Sequence, residues 1–236
     1  MPEAKLNVVL LRYTPNPEEL VAQSARLCYS AVSIVDLEKE IESNDQSGFI
    51  EKLADMRHLS PFEHINFTFG VEGVSRALSH QLVRHRLASY SQQSQRFVDF
   101  QKHNKSFGFV VPQSVVDKGF KDWFSDKMSC VHEWYQRLVE NGIPPEDARF
   151  ILPNACATKI VVTMNARELL HFFQHRCCNN AQWEIRALAI EMLKLAREIA
   201  PTTFKNAGPG CVCDRCHEGK KSCGKSAEVI ERFSKF

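Results

Sequence analysis

The chain has 236 residues, 44% of them hydrophobic and 25% charged, with a formal net charge of +2. These proportions exclude a disordered chain, a collagen and a coiled coil, and the near-neutral balance argues against a polybasic nucleic-acid coat or membrane binder. No apolar run reaches the ~18 residues of a membrane span, and Met1–Tyr13 lacks the basic start and small-residue cleavage site of an export signal, so a cytoplasmic protein with reduced thiols is expected.

The apolar run Leu6–Leu11 predicts a strand. Pro17 opens a helix over Glu18–Tyr29, with Leu20, Val21, Leu27 and Cys28 on or near one face. Phe49, Ile50, Leu53 and Met56 form a second helical stripe with Ser47 as N-cap. Ile65, Phe67, Phe69 and Val71 alternate, the pattern of a strand with one buried face; Gly73 ends it, and a helical period follows over Val74–Arg86. A polar loop is expected after Arg86, a strand at Phe107–Val111, and one long helix at Val115–Glu140, stopped by Asn141-Gly142. Lys159–Met164 predicts a β-branched strand, followed by helices at Ala166–Cys177 and Ala181–Ile199. Strands and helices interleave irregularly, which points to an α+β or mixed α/β domain over residues 1–205. Asn206–Gly210 reads as a hinge leading into a Cys-rich tail at residues 206–236. From Lys205 onward there are seven Lys/Arg against four Asp/Glu, so the preceding chain carries a net −1.

Within that neutral body, Gly73–Val98 holds no acid and no lysine, yet contains Arg76, Arg84, Arg86, Arg96, His80 and His85. The exclusive use of arginine favours bidentate recognition of phosphate or carboxylate. Gln81, Arg84 and His85 fall at i, i+3 and i+4 of the expected helix, and Ser89, Ser91, Ser94 and Gln95 supply neutral hydrogen-bonding groups around Arg96. An ordinary basic helix end with structural serines is the plainer alternative. A second cluster, Asn165–Arg186, places Arg167, His171 and His175 along one helical ridge. The two histidines have the spacing of a metal pair, but Arg167 one turn earlier disfavours a cation, so a polar ridge facing an anionic or heteroaromatic ligand is the preferred reading. Arg149 is an isolated arginine. Cys177-Cys178 beside Arg176 lacks a general base at a telling spacing and reads as structural.

Arg84-His85-Arg86-x-x-Ser89-x-x-x-x-Ser94-x-Arg96 closely resembles the signature of the flavin-dependent thymidylate synthases. The likeness continues through His58, Ser60 and Pro61–His64 on one side, and through Arg149–Pro153, Asn165-x-Arg167, Arg176 and Ala181–Ile185 on the other. It implies an α+β fold, a single mixed domain with a central, largely antiparallel sheet flanked by helices. It also implies methylation of dUMP to dTMP without a cysteine nucleophile. Methylenetetrahydrofolate would be the carbon donor, FAD the electron carrier and NADPH the reductant, in a homotetramer with active sites between subunits and no nucleic-acid or membrane partner. By position, Gln81, Arg84, Gln92, Gln93, Ser94, Gln95, Arg96 and Arg149 match the dUMP contacts, with Arg96 and Arg149 as the phosphate candidates. Arg176 matches the catalytic arginine that holds and activates the pyrimidine. His58, Ser60, Arg84, His85, Arg86, Gln92, Asn165, Arg167 and His171 match the FAD side. Departures are Ser91 for the family's Asn, Gln92 for a common Glu, Phe97 for Tyr, and His171 where Asn is expected.

The tail reads C-x-C-x2-C-x6-C and makes Cys211, Cys213, Cys216 and Cys223 candidate zinc ligands, with an iron–sulfur cluster, partial disulfides or a reduced flexible tail as alternatives. Two other functions stay open on the residues alone: a nucleic-acid-binding protein with a C-terminal zinc module, and a flavin-dependent methylase of another uracil nucleotide.

Overall fold

A computed structural model of the chain describes residues 2–98 and 106–235. The fold is α+β. Four strands form one antiparallel sheet in the order β1-β2-β4-β3, where β1 is Asn7–Tyr13, β2 Asn66–Ser75, β3 Ala88–Gln92 and β4 Ala157–Asn165. The helices are α1 (Pro17–Arg26), α2 (Ile34–Glu42), α3 (Ser47–Asp55), α4 (Arg76–Leu82), α5 (Gln113–Asp117), α6 (Lys121–Glu140), α7 (Pro145–Ala148), α8 (Ala166–Arg176), α9 (Trp183–Ile199), α10 (Gly210–Cys213) and α11 (Ser226–Ser234). No helix among the described residues is long and apolar enough to cross a membrane. By contact the chain divides into two compact units, one of Met1–Asn7, Gly70–Arg84 and Tyr90–Val161, the other of Val8–Phe69, His85–Ser89 and Val162–Phe236.

In the first unit the core is Phe107, Phe109, Val111, Met128, Tyr135, Ala148 and Cys156. The expected strand at Phe107–Val111 reduces to isolated bridges of Phe109 with Glu3 and Cys156. The long helix expected over Val115–Glu140 is two helices, because Gly119 at φ +74° takes a left-handed conformation that no helix continues. Gly73 does not end β2, which runs on to Ser75. Instead, its φ of +69° lets the strand pass Lys5 so closely that a Cβ would lie 1.9 Å from the Lys5 carbonyl oxygen. The helix that follows starts later than its apolar period suggested, at Arg76, because Ser75 caps it by accepting from the Leu78 amide at 3.0 Å.

In the second unit Phe67 and Phe173 meet Phe204 edge-on, with ring centroids 5.5 and 5.9 Å away. Alternation in β2 is realised, with Phe67, Phe69 and Val71 all buried. α1 ends at Arg26, three residues short of expectation, and leaves Leu27 and Cys28 exposed. Gln46, not Ser47, holds the cap position of α3, while Ser47 opens the helix and bonds back to Asp45. α2 was not anticipated, since only Leu37 and Ile41 of its nine residues are buried. The hinge expected at Asn206–Gly210 is instead held in place: Ala207 to Gly210 are buried, and the Arg197 guanidinium donates to the carbonyls of Phe204, Lys205, Ala207 and Phe233 at 2.8–3.2 Å.

Candidate active site

α8 begins where β4 ends, and Asn165 makes the junction by accepting from the Glu168 amide at 2.9 Å. The Glu168 side chain is then free to turn inward. Its Oε1 lies 3.2 Å from His85 Nδ1, and Arg176, at the far end of the same helix, donates from Nε to His85 Nε2 at 3.0 Å. His85 is 7% exposed and Glu168 6%, so this chain of three side chains is built largely out of water. Because an Arg Nε only donates, His85 Nε2 must be unprotonated, which puts the ring proton on Nδ1 facing Glu168. Burial, and then the Arg176 charge, lower the His85 pKa below its ordinary value of 6.5, against the opposing pull of Glu168. His85 is therefore a neutral histidine wedged between an acid and a cation. Phe172 packs edge-on against its ring at 4.9 Å.

The ridge predicted on α8 is present and exposed: Arg167, His171 and His175 all face water. His171 and His175 approach through their Nε2 atoms at 3.0 Å, while Arg167 is paired with Glu63. Among the described residues, the one cluster with three ligand atoms close enough for a metal is His85, Glu168 and His171, and its neighbouring Arg176 disfavours a cation there. His58 and Ser60 are exposed in the segment before β2, as is Arg86 just before β3. Cys177 is fully buried, and burial drives its thiol pKa up; Cys156 is likewise raised, to about 12. Neither is an activated nucleophile.

The nucleotide-side candidates other than Arg176 lie in the first unit. α4 stops at Leu82 with Val83 as its C-cap, so Gln81, Arg84 and His85 do not share a helix face. The stretch expected as a polar loop is partly strand β3, and it leads into a turn in which Ser94 Oγ accepts from the amides of Arg96 and Phe97 at 3.1 and 3.4 Å. Gln92 donates to Thr158 at 3.2 Å, and the Gln93 amide donates to Lys159 O at 2.9 Å. Gln95 is half-buried in the turn. Arg96 and Arg149 come together on one residue, Arg96 pairing with the Glu146 carboxylate at 2.5 Å and Arg149 donating to the Glu146 carbonyl at 2.9 Å. Arg84 and Arg86 are exposed and have no side-chain partner among the described residues.

Residues 9–202 match the family described as thymidylate synthase complementing protein. The chain belongs to that family. A flavin-dependent thymidylate synthase of Geobacter sulfurreducens is 53% identical over 229 residues, covering 97% of this chain and 98% of the relative. Another, from Clostridium tetani, is 46% identical over 241 residues, 95% of each chain. A third, from Nitratidesulfovibrio vulgaris, is 45% identical and covers 95% of this chain.

Within this member of the thymidylate synthase complementing protein family, sequence reasoning passed over Glu63 and Glu146, which pair with Arg167 and Arg96, and Glu168, which bonds the neutral His85. A search for an anion site looks for positive charge and discounts acids. Only Glu168 carried a usable signal, the Asn165-x-x-Glu168 spacing of a capping box. Glu63 and Glu146 are far in sequence from the arginines they serve, Arg167 and Arg96, and no local pattern joins them.

Proposed function

We propose that this chain methylates dUMP to dTMP, with methylenetetrahydrofolate as carbon donor and FAD, reduced by NADPH, as electron carrier, in a homotetramer with active sites between subunits. The observation that carries the reading is the buried Glu168–His85–Arg176 chain, because it fixes one cation in orientation without neutralising it. Arg176 stays charged at any working pH, and its bond to neutral His85 sets the plane of the guanidinium. Held in that way, it stabilises negative charge developing on a pyrimidine ring with little reorganisation at the moment of reaction. The names of the Geobacter and Clostridium relatives support the flavin and the product.

The residues fit an anionic cofactor. The guanidiniums of Arg84 and Arg86, which have no side-chain partner among the described residues, suit a phosphate-bearing ligand, and the exposed ridge of Arg167, His171 and His175, with His58, Ser60 and Asn165, offers polar groups to a heteroaromatic one. A flavin held by these residues would supply the redox chemistry and the carrier for the one-carbon unit. The chain's own task is to hold the nucleotide phosphate with Arg96 and Arg149 and its base with Arg176, Gln81 and the Gln92–Gln95 segment. The assembly is supported by Phe150, Phe97 and Leu87, which are 85%, 78% and 73% exposed and each adjoin a candidate-site arginine, as a subunit interface around the site would require.

Assay of dTMP formation from dUMP, methylenetetrahydrofolate, FAD and NADPH tests the reading. Arg176→Ala is expected to lower kcat by roughly 10²–10³-fold with its circular dichroism unchanged. Near-normal turnover by that variant overturns the role of Arg176, and absence of dTMP with the unaltered chain overturns the activity. UMP in place of dUMP tests the choice of nucleotide.

A further inference from the structure

Cys178 lies in the turn between α8 and α9, two residues past Arg176, while Cys211, Cys216 and Cys223 belong to the tail. These four thiols line one cavity of about 400 Å³, along with His175, His217 and Glu218. Cys213 is not among them; its Sγ donates to the Gly208 carbonyl at 3.1 Å. We propose that Cys178, Cys211, Cys216 and Cys223 are the thiolate ligands of a thiophilic metal centre, zinc or iron–sulfur, that clamps the tail onto the C-terminal end of α8.

The local structure calls for such a clamp. From Asp214 to Lys225 every residue except Cys216 is exposed, and the only regular element is a single 3-10 turn at Gly219–Lys221. The segment nevertheless folds back tightly. A Cβ on Gly210 would meet the His217 ring at 2.6 Å and the Arg215 carbonyl at 2.8 Å, and Gly219 and Gly224 take φ of +52° and +71°. A loop with no core of its own can be fixed in this form by metal–thiolate bonds, whose binding free energy becomes folding free energy.

The surroundings of the sulfurs fit the same role. Asn179 Nδ2 donates to Cys223 Sγ at 3.7 Å, and Ser222 Oγ lies 3.4 Å from Cys216 Sγ. Once Cys216 is a thiolate the Ser222 hydroxyl becomes the donor, so both contacts persist and tune the metal–sulfur bonds. Asn180 donates to the Lys221 carbonyl at 2.7 Å and Arg232 to Asn179 at 3.2 Å, which keeps the tail beside Cys178. No three of these sulfurs lie within 4.8 Å of one another. Zinc, with bonds near 2.3 Å, draws its four sulfurs to roughly 3.8 Å apart. An iron–sulfur core spreads its cysteines over different irons and so accommodates sulfurs that lie further apart.

The test is zinc, iron and acid-labile sulfide content of the full-length protein purified without oxygen, beside Cys178→Ser, Cys216→Ser and Cys213→Ser. Expected are roughly four iron and four sulfide per chain for a cubane cluster, or about one zinc. Cys178→Ser and Cys216→Ser lose most of that metal, about tenfold or more, and Cys213→Ser retains it. Cys216 sits in the exposed loop, so its variant carries the result even if Cys178→Ser does not fold. Metal far below one centre per chain in the unaltered protein overturns the proposal, as does full loading of Cys216→Ser or of folded Cys178→Ser.

Discussion

His85 is the residue on which the candidate site turns. It accepts from Arg176 only while it is neutral, and burial together with the Arg176 charge keep it so. The sign of the pH effect follows. Once unfolded, His85 takes up a proton near its ordinary 6.5, whereas in the fold it does so only at lower pH. The unfolded state therefore binds more protons over that interval, and the stability contribution, complete above about 6.5, is lost as pH falls through the folded value. His132 and His175, both lowered chiefly by burial, act in the same direction. Thermal denaturation between pH 7.5 and 5.5 is expected to show Tm falling as the solution is acidified. His85→Gln, whose amide bridges Glu168 and Arg176 without titrating, is expected to flatten the fall; an unchanged slope would assign it to other groups.

Among the elements, α8 does most to arrange the site, because it carries Glu168, His171 and Arg176 on one short rod beginning at Asn165. Asn165 was expected on the flavin side, and its side chain caps this helix. The two roles separate by experiment. Asn165→Ala is expected to cost about 1 kcal/mol in denaturant unfolding through the lost cap, while Asn165→Asp, which still accepts from the Glu168 amide, costs little. If Asn165→Asp nevertheless weakens FAD binding as measured by fluorescence titration, the amide also touches the cofactor. The ridge of Arg167, His171 and His175 was legible in the sequence because a helical period needs no partner to be seen. The break at Gly119 and the docking of α2 were not. A glycine at a turn and a polar helix with two buried residues give no periodic signal strong enough to read.

At the scale of the whole chain, the half-buried Arg197 is one of the groups that hold the tail beyond Gly210 within the second unit. Arg197 donates to four main-chain carbonyls, including that of Phe233 in α11, and burial lowers its pKa. Arg197→Met leaves those carbonyls without their donor and is expected to cost about 2–4 kcal/mol. Urea denaturation measures the loss, and limited proteolysis should then cut first near Asn206–Gly210. An unchanged cleavage pattern would mean that α11, through Val229 and Phe233, docks without this residue.

The sequence by itself determined the strands with strict alternation, the ridge on α8 and the arginine-rich stretch from Gly73 to Val98. Each is set by nearest neighbours along the chain or by a choice of residue type. The cysteine pattern likewise announced a thiol-rich tail. Only the tertiary structure decided which acids hold which arginines, that His85 is neutral, and that Cys178 joins three tail cysteines while Cys213 turns away. Those outcomes depend on burial and on pairings such as His85 with Glu168, 83 positions apart, and neither is encoded in local spacing.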